Sequence, residues 1–395
     1  MNEADSEEML LHLFGFGYQK TSVLNEADLV LINTCTIRDH AEHRALSYLG
    51  RLAKWKAEKQ GRKIIFAGCA AERLGKKVQK RFPQADIVCG AKSLDKFPSI
   101  LENSSLFKTI DTKNTPREDT KKVTGQVSIM RGCSCKCAYC IVPYVRGEAS
   151  SIAPEIILEN CAAKAKTYPE IMLLGQTVNA YNYKGFTFSK LLEEVCKIPE
   201  VKRVRFLSPH PVFIKEDFYK LVQDNKKIAR HLHLPLQSGS TKVLKDMKRL
   251  YTAEEYFQII KNLKELDFLI STDIIVGYPT ETEEDFKQTL NLVKKCGFSF
   301  AYCFKFSPRA GTPAAELKEI SQEVVENRLN ILLNEIRECS AVAYKSRIGK
   351  TEEILFETKN SGRTSGNLWY RTTTPRQPGT VEEILIKDSN GKILR

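Results

Sequence analysis

The sequence predicts an α/β protein in three parts: an N-terminal parallel α/β domain, a partial (β/α)6 barrel and a small C-terminal β module. Three observations predict it. Over residues 1–110, short apolar runs alternate with amphipathic stretches, the pattern of a parallel sheet with crossover helices. The alternation resumes over 119–345, where six strand-like runs are separated by stretches long enough for right-handed βαβ units. From 346 to 395 it gives way to short segments between Gly- and Pro-containing turns. A chain of 395 residues suits two or three domains.

In order along the chain, 27–33 (ADLVLIN) and 63–67 (KIIFA) read as buried strands, 38–60 as the helix between them, and 85–88 as a third, shorter strand. The chain opens on a helical segment, 6–14, where βα alternation calls for a strand. The expectation is a domain whose first strand is missing in front of Met1. Residues 108–122 (KTIDTKNTPREDTKK) carry almost no large apolar side chain and read as a linker, with a boundary near 110–120. Barrel strands are expected at 126–130, 171–174, 203–207, 231–236, 269–276 and 301–306. Helices are expected at 154–167, 188–197, 215–224, 253–266 and 283–296. A long helix over 321–345 offers Leu329, Leu332, Leu333 and Ile336 for packing. The terminal module reads as strands at 352–357, 368–371 and 382–386.

Composition excludes several classes. Apolar residues at 42% and charged residues at 28% are ordinary for a globular protein, and no run reaches the 18 apolar residues of a membrane span. The first eight residues, MNEADSEE, are acidic and polar, unlike a secretory signal, so a cytosolic protein is expected. Twelve cysteines in a reducing compartment argue for metal or thiol chemistry over a disulfide framework. The balance of 61 Lys and Arg against 48 Asp and Glu, +13, suits an anionic partner such as RNA, and also simple solubility.

Two groups of cysteines stand out. Cys133, Cys137 and Cys140 form CxxxCxxC in MRGCSCKCAYC, just after the first barrel strand. Three thiolates on a short loop can hold three corners of a 4Fe-4S cubane and leave the fourth iron open to a small molecule. Structural zinc wants four ligands, and no matching Cys or His pair follows at finger spacing. Cys135 offers a rival CxCxxC. The second group, Cys35 and Cys69, stands just past two predicted parallel strands, at the carboxyl ends where such sheets bind ligands. Their spacing fits a shared metal site and equally two small core residues. Cys89 also follows a predicted strand. Cys161, Cys196, Cys296, Cys303 and Cys339 read as core residues.

These residues carry a resemblance that runs nearly the full length. The cysteine loop continuing into 141–147 (IVPYVRG) resembles the radical S-adenosylmethionine (SAM) methylthiotransferases. Residues 173–181 (LLGQTVNAY) resemble the MiaB-like branch acting on isopentenylated adenosine 37 of tRNA. Asn33-Thr34-Cys35, 231–240 (HLHLPLQSGS), 272–286 (TDIIVGYPTETEEDF) and 306–313 (FSPRAGTP) match as well. The resemblance implies a methylthiotransferase α/β domain at 1–110, a radical SAM core at 119–345 and a TRAM-type β-barrel at 346–395 that helps hold RNA. It implies that Cys133, Cys137 and Cys140 bind a 4Fe-4S cluster whose open iron takes SAM, and that a deoxyadenosyl radical removes hydrogen from adenine C2. It further implies that Cys35 and Cys69 bind an auxiliary 4Fe-4S cluster for sulfur insertion, a second SAM supplying the methyl group. An electron donor and a sulfur source, unidentified by sequence, complete the reaction, for which a monomer is adequate. The chain departs from the family at one point: members place a first auxiliary-cluster cysteine just ahead of the residues matching 1–7. Either the start is mis-assigned or the chain is truncated, and in a truncated chain the expected auxiliary site has two family ligands in place of three, with Cys89 as the one candidate to replace the third.

Other positions are open to two readings each. Gly277, after the fifth barrel strand, suits close approach to SAM or an ordinary turn. Gln176 and Asn179 suit contacts to SAM or substrate, or a turn. His231 and His233 alternate on one strand and so share a face, where lining histidines are preferred to metal ligands. Arg363, Trp369, Tyr370, Arg371 and Arg376 interleave cations with aromatics, suiting RNA or a solvated surface. No residue is given a catalytic role. Competing functions are the related enzymes acting on threonylcarbamoyl-adenosine of tRNA or on a ribosomal-protein aspartate, against which 176–179 argues. A non-catalytic iron–sulfur carrier or zinc-dependent RNA-binding module, which needs neither an open iron nor a barrel, is disfavoured.

Overall fold

The computed structural model describes residues 1–36, 39–104 and 122–395. The expected linker, apart from Lys122, lies outside them. The chain divides into two compact units. The first comprises residues 1–118 with 131–135 and 140–149, and the second 119–130, 136–139 and 150–395.

The first unit is built on a parallel sheet of β1 (Leu29–Thr34), β2 (Lys63–Gly68) and β3 (Ile87–Gly90), paired in that order. Strand β2 is apolar on both faces because both are covered. Ile64 and Phe66 pack with Leu49, Leu52 and Trp55 of helix α2 (Asp39–Ala57). Ile65 and Ala67 pack on the other face with Met9 and Leu13 of helix α1 (Asn2–Gly15), and with Phe97 and Leu101. The expected third strand was placed two residues early, since Ala85 is buried ahead of β3. Helix α3 (Cys69–Leu74) starts directly from β2. Gly68 has φ +93, and a Cβ there would sit 2.5 Å from the Thr34 carbonyl oxygen, so only glycine lets the chain turn from strand to helix so close to β1. Helix α4 (Val142–Arg146) also belongs to this unit.

The second unit holds six parallel strands in sequential order. Strands β4 (Thr124–Ser128), β5 (Glu170–Leu174) and β6 (Arg203–Phe206) form one sheet. Strands β7 (His231–His233), β8 (Leu269–Val276) and β9 (Phe300–Lys305) form another. One parallel bridge, Val204 to Ile228, links them: Val204 N–H donates to Lys227 O at 2.8 Å, and Ala229 N–H to Val204 O at 2.9 Å. The crossovers are α5 (Pro154–Ala165), α6 (Phe188–Lys197), α7 (Glu216–Asp224), α8 (Ala253–Glu265) and α9 (Glu283–Cys296). Thr252 with Glu255 and Thr282 with Asp285 form capping boxes that start α8 and α9. One face of each strand packs on these helices, through Ile171, Leu173, Val204, Leu232, Ile270 and Ile274. Helix α10 (Gln322–Lys345) adds Leu332 and Ile336 to the same core.

The terminal module is an antiparallel sheet of β10 (Thr351–Thr358), β11 (Ser361–Thr364), β12 (Trp369–Arg371) and β13 (Val381–Leu385), in the order β12-β11-β10-β13. The last residues close it into a ring. Leu394 N–H donates to Trp369 O and Arg371 N–H to Leu394 O, while Lys387 N–H donates to Arg395 O. Strand β11 went unread because Gly and polar residues give it no apolar run. Buried arginines pin the module to the amino ends of the barrel strands. Arg203 donates to Glu353 at 2.6 Å, Arg205 Nη2 to Thr364 O at 2.8 Å, and Arg347 to Asp267 at 2.9 Å.

Candidate functional site

The CxxxCxxC loop leaves the barrel after β4. Gly132 has φ +73, and a Cβ there would lie 2.0 Å from Glu148 O, so a side chain is excluded where the loop begins. Cys133 N–H donates to Gly147 O at 3.1 Å, and Ala149 N–H to Ser134 Oγ at 3.1 Å. In the second unit, Ala138 N–H donates to Met247 O at 3.0 Å, and Arg249 Nη1 donates to Cys137 Sγ at 3.3 Å. Burial alone would lower the Arg249 pKa, but Tyr251, Tyr139 and Cys137 outweigh it and hold the guanidinium charged. Cys133 and Cys137 are buried, and Cys140 and Cys135 half-buried. Thiols held on a fixed backbone beside a permanent cation suit thiolate ligation.

Strand β1 ends at Thr34 and β2 at Gly68, which are partners in register, so Cys35 and Cys69 follow at equivalent positions on neighbouring strands. Arg146 Nε donates to Cys69 Sγ at 3.2 Å and its Nη2 to Asp5 at 2.7 Å. Burial raises the Cys69 pKa, and Arg146 opposes the rise. Cys89 does not join them, contrary to its expected place past a strand. It lies inside β3, paired with Ala67, and packs in the core with Leu94 and Phe97. Its Sγ–H faces Ser93 O at 3.6 Å, and burial pushes its pKa up to about 11. The position on β3 equivalent to Cys69 is Ala91.

At the carboxyl ends of the barrel strands, Gln176 has both amide atoms buried without a hydrogen-bond partner. That is a donor and an acceptor prepared for a ligand. Asn179 has its amide turned to His210, accepting from the backbone N–H at 2.7 Å and donating to the carbonyl at 3.0 Å, so it fixes a loop. Gly277 has φ +74, and a Cβ would meet Val325 of α10 at 2.4 Å, so glycine is required there by the passing helix. His231 and His233 share a face as expected, both hydrogen-bonded to Ser271 Oγ at 2.9 Å. Tyr370 is buried in the module core and offers no free ring, whereas Trp369 is exposed under Arg363, whose guanidinium lies 4.2 Å from the ring centroid.

The Radical SAM superfamily model matches residues 127–293, and that of Uncharacterized protein family UPF0004 matches residues 1–90. A tRNA-2-methylthio-N(6)-dimethylallyladenosine synthase of Thermodesulfovibrio yellowstonii is 41% identical over 402 residues, covering 98% of this chain and 93% of that protein. The like-named protein of Endomicrobium trichonymphae is 38% identical over 367 residues, covering 92% and 87%. The chain belongs to this synthase family. It is therefore a radical SAM enzyme. Among solved structures, the radical SAM methyltransferase TsrM of Kitasatospora setae shares the fold, with TM-score 0.56 and 13% identity over 79% of this chain and 69% of that one.

Arg249 went unread in the sequence. It lies 112 residues from Cys137, and nothing local marks it. Arg146 sat in the matched motif but gave no sign of its partner Cys69, 77 residues away.

Proposed function

We propose that this chain adds a 2-methylthio group to N6-isopentenyladenosine at position 37 of tRNA, with Cys133, Cys137 and Cys140 holding the SAM-binding 4Fe-4S cluster and Cys35 and Cys69 holding the auxiliary one. The observation that carries the reading is Cys137 of the CxxxCxxC loop hydrogen-bonded by the buried Arg249, in a chain of this family. The donor chemistry fits, since soft thiolates suit iron–sulfur clusters and each corner of a cubane takes one, although among the described residues no three His, Cys, Asp or Glu side chains are gathered closely enough to hold a metal ion in this structure. Bound there, the clusters and SAM supply one-electron C–H activation and sulfur transfer.

The chain's own residues hold and orient. Arg249 offsets thiolate charge at Cys137, and Arg146 does so at Cys69, itself balanced by Asp5. Gln176 offers its unpartnered amide to SAM or substrate, Asn179 positions the loop at 210, and Gly277 lets α10 close on the barrel beside SAM. The three-part division at 1–110, 119–345 and 346–395 belongs to this reading, as does a monomer in the cytosol. No helix among the described residues is long and apolar enough to cross a membrane.

The test is anaerobic iron and acid-labile sulfide content of the reconstituted chain beside a Cys133→Ala, Cys137→Ala, Cys140→Ala variant, with mass spectrometry of an isopentenylated anticodon stem-loop. About eight irons falling to about four, with methylthiolated product only from the parent, is expected. Absence of iron from the parent, or product from the variant, overturns the assignment.

A further inference from the structure

A cavity of about 910 Å³ opens inside the barrel, walled by Met172 of β5, by residues 205–208 at and just past the carboxyl end of β6, by the first residues of β7 to β9, by helix α10 and by the terminal module. It exists because β6 and β7 part beyond the single bridge at Val204, so Arg205 and Leu207 line one side and His231 and His233 the other. On β8 the wall is Ser271, roughly 20 Å from Gly277 at about 3.3 Å per residue, whereas on β6 it reaches Leu207 and Ser208, just past that strand's carboxyl end. The candidate SAM residues do not line it.

Its chemistry is one-sided. Arg205, Arg337, Arg363 and Lys392 line it and no Asp or Glu does among the described residues, although Glu170 pairs with Arg205 at 2.7 Å and Glu357 with Arg363 at 3.1 Å from outside the wall. Arg205 keeps Nη1 buried without an acceptor, although its other nitrogens bind Glu170 and Thr364 O. Arg337 is exposed on α10. Along β9 the alternation FAYCF lays Phe300, Tyr302 and Phe304 on one face. The ring centroids are 4.8 Å apart for the first pair and 6.3 Å for the second. Phe300 and Tyr302, both in the cavity wall, are about half exposed on this edge strand, and Trp369 faces the same space from the module. Half-exposed Phe300 and Tyr302 rings beside an excess of cations, with Arg337 and Lys392 in the wall, fit a flat π-system carrying a phosphate.

We propose that this cavity is a nucleotide site: a base stacks on Tyr302 or Trp369, and its phosphate lies against Arg337, Arg363 and Lys392. The nucleotide comes either from the RNA substrate or from the free pool. Only the RNA source rests on the function proposed above; the site itself does not.

The chain has two tryptophans, Trp55 and Trp369, so a signal lost in Trp369→Phe reports the cavity. The full chain, with its iron content checked, is titrated anaerobically with adenosine 5′-monophosphate and, separately, with an isopentenylated anticodon stem-loop. Saturable quenching is expected, with affinity about tenfold weaker in Arg337→Ala and Tyr302→Ala and retained in Tyr302→Phe. Quenching by the stem-loop with a shallower salt dependence in Arg337→Ala places the nucleotide in RNA. Quenching by the mononucleotide alone, undisturbed by stem-loop, supports the site with a free nucleotide. No saturable signal from either probe, or equal midpoints in the parent, Arg337→Ala and Tyr302→Ala, overturns the proposal. Methylthiolation of the stem-loop is followed in parallel, so loss of the site and loss of the enzyme reading are separate results.

Discussion

The parallel sheets of the two units are made from the same kind of strand and present their polar residues in opposite ways. In the first unit both faces of the central strand β2 are covered, and it runs apolar from Ile64 to Ala67 with no room for a ligand along its length. Chemistry is confined to the strand ends, where Cys35 and Cys69 stand. In the barrel one face packs on helices and the other looks inward with Arg205, His231, His233, Ser271 and Tyr302. A sheet covered twice concentrates function at its tips, whereas a curved sheet covered once has its whole inner face available.

The comparison predicts unequal costs for substitutions. The largest is Phe66→Ala, which leaves a cavity in a fully buried layer and is expected to cost about 3–5 kcal/mol in denaturant unfolding. A cost below about 1 kcal/mol would show that the first sheet is not packed on both faces. Next is Arg205→Met, which strips Glu170 of its 2.7 Å partner while Arg203 at 3.7 Å still compensates. About 2 kcal/mol is expected, with the backbone fold retained by circular dichroism.

A pH effect follows from His210, whose pKa is lowered to about 3 by burial and by nearby Arg249. The unfolded imidazole takes a proton near pH 6.5 and the folded one does not. Stability is therefore complete above pH 6.5 and falls as pH drops toward about 3, by up to ~1.4 kcal/mol per unit. His210→Gln should flatten that slope in unfolding followed from pH 7 to 4. Burial, then Arg205, His233 and Arg363, lower the His231 pKa in the same sense, so part of the slope persists. The smallest effect is Ser271→Ala, which removes the hydroxyl between the two histidines at about 0.5–1.5 kcal/mol. A cost equal to that of Phe66→Ala would mean the inner face is as tightly packed as a core.

What the sequence made legible follows the same division. Strand β2 and the helix-side faces of the barrel are apolar runs or regular alternations, so their periods gave them away, and the cysteine loop is a contiguous motif. Strand β3 was misplaced because Ala85 and Val88 look alike to a pattern, although one precedes the strand and the other lies in it. That shift placed Cys89 at a strand end, whereas pairing with Ala67 puts it in the core. The Arg249–Cys137 and Arg146–Cys69 contacts join distant positions, and no local preference encodes them. Tyr302 and Phe304 were read only as part of a strand, and Phe300 fell one residue ahead of it, since alternation tells which residues share a face but not whether that face is covered.

The join between β6 and β7 has a mechanical consequence. Every other pair of neighbouring barrel strands shares at least three residues in register, whereas this pair meets only at Val204 and Ile228. The barrel is thus two three-stranded sheets joined by two backbone hydrogen bonds, worth about 1–3 kcal/mol, with the rest of the seam held by the apolar core that both sheets share. The terminal module bonds to a residue on each side of that join, Arg205 through Thr364 O and Arg230 N–H through Ser365 Oγ. It therefore fixes the spacing of the two sheets where their own ladder is thinnest.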